Sequence, residues 1–118
     1  MTATNRLPLP PTPDRVLGCY WTPNAAFIDE LATFLQGKAV LEIFAGNGYL
    51  AGMLAARGVA ITATSVRSSH DAHEAGFYHP VEDLSAPEAV VTFGDAHQVL
   101  LMSWPTTSNA VLQAALLW

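Results

Sequence analysis

Glu42 interrupts an apolar run, Val40-Leu41-Glu42-Ile43-Phe44, that gives way at once to Ala45-Gly46-Asn47-Gly48. A carboxylate inside a buried strand must find hydrogen-bond donors or bear a large desolvation cost. Two sources of donors suit it: the main-chain amides of the turn that follows, or the amino group of a ligand. Gly46 and Gly48 are the residue type such a turn needs, because they tolerate unusual φ/ψ and let a ligand come close to the main chain. Other polar candidates stand where later apolar stretches end: Ser65 after Val59 to Thr64, Asp83 beside Glu82, and Ser103 with Trp104 after Val99 to Met102.

The elements that must position these residues are read from periodicity. Val40 to Phe44 is a buried strand and Tyr49 to Arg57 a helix with Leu50, Met53 and Leu54 on one face, ended by Gly58. Val59 to Thr64 is a second strand, expected to pair in parallel with the first through a right-handed crossover. Ahead of them, Thr22-Pro23 opens a helix, since threonine caps free amides and proline suits the first helical position. Phe27, Ile28, Leu31, Phe34 and Leu35 then recur at helical spacing until Gly37. Tyr78 to Asp83 reads as a third strand and Ala86 to Phe93 as a helix beginning at Pro87, with Asp83 or Ser85 as its cap. Val99 to Met102 is a fourth strand, and Ala110 to Trp118 a last apolar helix. The expectation is an α/β fold, a Rossmann-like three-layer sandwich around a short, mostly parallel sheet of about four strands. Pro8, Pro10, Pro11 and Pro13 make residues 1–14 an extended arm, leaving residues 15–118 as the α/β domain.

Composition narrows the classes of function. The 118 residues are 51% hydrophobic and only 13% charged, which favours a folded chain whose thin charge leaves apolar surface for a partner, a homo-oligomer or another subunit. A net charge of −5, with no block of Lys or Arg, speaks against nucleic-acid binding by this chain alone. The single cysteine, Cys19, has no internal disulfide partner, and no run of about 18 apolar residues offers a membrane span, so a cytoplasmic location is expected.

Glu42-Ile43-Phe44-Ala45-Gly46-Asn47-Gly48 resembles the first motif of S-adenosylmethionine-dependent methyltransferases, an acidic residue followed by a glycine turn. Phe44-Ala45-Gly46-Asn47-Gly48 is similar to the FxGxG form found in DNA and RNA methyltransferases. The resemblance implies S-adenosylmethionine as cofactor, held by Glu42, Phe44, Ala45, Gly46, Asn47 and Gly48 at its methionine end, by Ser65 at the ribose and by Asp83 at the adenine edge. Tyr20, Thr22 and Pro23 are possible further neighbours of the methionine end. Ser103 and Trp104 stand where the fourth motif of amino-methylating DNA enzymes would meet the acceptor, although Trp104 separates Ser103 from Pro105. Ser65 departs from the acidic residue that the family uses for both ribose hydroxyls, and one hydroxyl cannot match a carboxylate there. The family would also continue with further strands after Trp118.

Three functions follow as expectations. The first is methyl transfer to an unidentified acceptor, in which the protein mainly positions donor and acceptor. The second is a catalytically inactive methyltransferase-like module for binding or assembly. An NAD-type oxidoreductase ranks third, since Ala51 completes a GxGxxA pattern but the chain has no room for a substrate domain. The cluster His70, Asp71, His73, Glu74 and His79 is read as a polar turn and short helix, with no metal expected.

Overall fold

The computed structural model describes residues 24–66, 77–103 and 109–118. In chain order these form α1 (Ala25–Leu35), β1 (Ala39–Ile43), α2 (Tyr49–Ala56), β2 (Ala60–Ser65), β3 (Val81–Asp83), α3 (Ala86–Phe93), β4 (Val99–Met102) and α4 (Ala110–Leu117). The four strands make one sheet in the order β3-β2-β1-β4, with every neighbouring pair parallel.

Side-chain alternation sends successive residues of β1 to opposite layers. Val40 packs with Ile28 and Leu35 of α1 and with Leu50 and Leu54 of α2. Leu41 and Ile43 pack instead with Ala89 and Val90 of α3 and Ala114 of α4. The sheet is therefore covered on both faces, as a parallel sheet requires, and its β1 strand is buried throughout its last four residues. Strand order explains which helix goes where. The chain steps one way from β1 to β2 and β3, then returns across β1 to β4, so right-handed connections put α2 and α3 on opposite sides.

Several boundaries differ from the sequence reading. Asn24, not Thr22, caps α1: its Oδ1 accepts the Phe27 amide at 2.8 Å, while Thr22 and Pro23 lie outside the described residues. The third strand is shorter than expected, because Tyr78, His79 and Pro80 are not strand; the Tyr78 amide donates to Asn47 O at 2.8 Å instead of joining the ladder. Ser85 is the cap of α3, in a capping box with Glu88, and Asp83 remains the last residue of β3. Arm residues 1–14, Cys19, Tyr20 and the segment from His70 to Glu74 fall outside the described residues. No helix among the described residues is long and apolar enough to cross a membrane.

Candidate functional site

Because all four strands run the same way, their carboxyl ends share one edge of the sheet. That edge collects Phe44 to Gly48 after β1, Ser65 at the end of β2, Asp83 at the end of β3 and Ser103 just past β4. The direction of the winding reverses between β1 and β4, which is where open α/β sheets form a crevice. Ser65 and Asp83 are register partners across β2 and β3. They share the α2 side of the sheet with Ala63 and Val81, two residues earlier on each strand. Ser65 is buried and Asp83 is exposed.

Glu42 of β1 and Ser103, just past β4, stand on either side of this reversal and touch. Alternation turns Glu42 to the α1–α2 face with Val40, and turns Ser103 the same way as Val99 and Leu101. Ser103 Oγ donates to Glu42 Oε2, and the Ser103 amide donates to Ile43 O at 3.3 Å, carrying the ladder one step past the strand. Glu42 is 0% exposed, and its Oε1 has no hydrogen-bond partner among the described residues. Burial pushes its carboxyl up to about 8, with the Ser103 hydrogen bond pulling the other way. Thr64 holds the strand from the other side, donating from Oγ1 to Glu42 O at 3.0 Å.

The turn after β1 is built from alternating left-handed residues: Phe44 at φ 56°, Gly46 at 61° and Gly48 at 78°. Glycine adopts such angles without strain; phenylalanine does so at a cost of about 1–2 kcal/mol, a feature that gathers at functional sites. Much of the turn's hydrogen bonding is internal. The Ala45 amide donates to Thr64 O at 3.0 Å, the Gly48 amide to Ala45 O at 3.1 Å and the Tyr49 amide to Asn47 Oδ1 at 3.2 Å. The close approach that Gly48 allows is made by the protein's own chain, since an added Cβ would lie 3.0 Å from His79 O and from Val81 Cγ2. Asn47 is 1% exposed, so the residue at the tip of the turn faces inward. Tyr78 closes over this point, its ring edge-on to Tyr49 at 5.3 Å between centroids.

Of the residues singled out from sequence, the structure brings Glu42 and Ser103 into contact, sets Ala45, Gly46 and Asn47 beside them in chain, and aligns Ser65 with Asp83. Trp104 lies outside the described residues. Sequence reasoning missed Thr64 and the His79 to Val81 wall over Gly48. A threonine inside a strand is an ordinary strand residue, and a glycine's type does not say what approaches it. Neither described cation lies at this edge: Lys38 precedes β1, and Arg57 follows α2 and pairs with Asp29. No group of three or more His, Cys, Asp or Glu that could hold a metal occurs among the described residues.

The chain matches no family model, no curated protein and no solved structure.

Proposed function

We propose that the chain binds S-adenosylmethionine and transfers its methyl group to an unidentified acceptor. The observation that carries this reading is Glu42, a fully buried carboxyl with one oxygen unpartnered among the described residues, directly below a glycine turn at the sheet's reversal point. The ammonium of the methionine end is a donor of the charge and size that this oxygen lacks. When bound, the cofactor supplies an electrophilic methyl group. The protein's share is positioning: Glu42 with Phe44 to Gly48 at the amino-acid end, Ser65 toward the ribose, Asp83 toward the adenine edge, and Ser103 with Trp104 on the acceptor side.

Calorimetry and thermal unfolding with S-adenosylmethionine at millimolar concentration test it. Heat of binding and a raised Tm are expected, and neither one at that concentration would remove the cofactor. A second reading, a methyltransferase-like module that works through assembly, is supported by Leu112, Leu116, Leu117 and Trp118, all exposed on or beside α4. Binding without turnover on amine, hydroxyl or nucleobase acceptors, together with dimers in light scattering, would favour the module over the enzyme.

A further inference from the structure

The elements around Glu42 can be taken in turn. On its face of the sheet, α2 carries no charged residue and contributes Tyr49, and the segment leading into β3 contributes Tyr78; the next residue, His79, lies against Gly48, with its Nδ1 2.8 Å from Pro80 O. Across the ladder stand Ala63 of β2 and Leu101 of β4, with Ser103 beyond. On α1, Asp29 and Glu30 are exposed, and Asp29 holds Arg57 at 2.6 Å. Lys38 Nζ donates to Phe34 O at 2.9 Å and sits over the Phe34 ring. No described cation pairs with the carboxyl. A buried carboxylate without a counter-charge is far less stable than the carboxylic acid, so burial favours the neutral form of Glu42, and Oε1 is the oxygen that Ser103 does not engage.

We propose that S-adenosylmethionine enters this site by proton exchange: the carboxyl O–H bond of Glu42 breaks, its proton passes to the solvent buffer, and the ligand's ammonium takes its place against the carboxylate. Nothing is oxidised or reduced, and the buried charge is never left unpaired. The inference rests on the cofactor reading above and adds a pH dependence to it. Affinity rises roughly tenfold between pH 6 and 7 and flattens as pH approaches the carboxyl's own value of about 8. A ligand without an ammonium leaves Glu42 protonated.

Calorimetry on the full chain at pH 7, in buffers of different ionisation enthalpy, counts the protons. S-adenosylmethionine should release about one proton per ligand bound. 5′-Methylthioadenosine, which keeps the adenosine but lacks the ammonium, should release none, and Glu42→Gln should release none with either ligand. The infrared C=O band of a carboxylic acid should be present in the ligand-free chain, absent from Glu42→Gln, and lost as S-adenosylmethionine is added. Binding with buffer-independent heat, or a ligand-free chain without that band, overturns the exchange and leaves the cofactor reading standing. No heat in any buffer, with no thermal shift, removes both.

Discussion

At the β3–α3 turn the chain satisfies itself with side chains: Ser85 Oγ accepts the Glu88 amide, Glu88 Oε1 accepts the Ser85 amide, and Pro87 occupies the first turn of the helix. The β1–α2 turn, on the same edge of the same sheet, is made differently. Its cap is Gly48 in the left-handed region with no side-chain cap bond, Phe44 is strained, and a carboxyl is buried one turn of chain below. The first arrangement removes orphan amides from an exposed helix start and asks nothing more of the residues around it. The second holds polar and strained groups in the interior, where stability alone would favour apolar ones. Such departures from local preference gather at functional sites, whereas the first turn has only a join to make.

The comparison can be broken most severely through Glu42. Its carboxyl is raised from 4.5 to about 8 by burial, so its contribution to stability is fully present below pH 4.5 and is lost as pH rises through the folded-state value. Between those limits unfolding free energy should fall by about 1.4 kcal/mol per pH unit, on the order of 5 kcal/mol in all, and flatten above them. Urea denaturation across this range measures it, and Glu42→Gln, which keeps the shape of the neutral acid, should remove that slope. A wild type and variant with parallel profiles would mean that the carboxyl is not held neutral.

Gly48→Ala comes next. The added methyl meets His79 O and Val81 Cγ2 at 3.0 Å and forces a non-glycine residue to φ 78°, so a loss of about 2–4 kcal/mol is expected from the midpoint of urea unfolding. At the other turn, Ser85→Ala removes one half of the capping box and should lower stability by about 1 kcal/mol, without altering any ligand affinity. If the two substitutions had equal effects on stability and on binding, the distinction drawn between the turns would fail.

How much of this could be read from residues alone differs between the same two regions. Ser85-Ala86-Pro87-Glu88 announces a helix start because each part acts over three residues, and the helix from Ala86 to Phe93 is found where the pattern puts it. Val99 to Met102 was equally legible, since an apolar run bounded by polar residues needs no distant partner to be a strand. The contact of Glu42 with Ser103 spans 61 residues and depends on which strands become neighbours, a fact that no local window contains. The resemblance to two methyltransferase motifs selected both residues, Glu42 for the methionine end of a ligand and Ser103 for the acceptor side, without pairing them with each other. The conformation of Phe44 left no trace in residue type. Tyr78 to Pro80 differ from the strand expected there because the Tyr78 amide is taken by Asn47 O, His79 packs against Gly48, and Pro80 has no amide to offer a ladder.

The bond between Ser103 and Glu42 also counts residues along β4. Moving that strand by a single position against β1 would bring the thioether of Met102, or whatever follows Ser103, to the carboxyl's side and turn the apolar partners of α3 and α4 toward α1 and α2. An insertion or deletion of one residue between Gln98 and Ser103 would thus do more than loosen an edge strand. It would take from the buried acid the one hydroxyl among the described residues that engages it, and the alignment of β4 would be reported by the ionisation of a side chain on its neighbour.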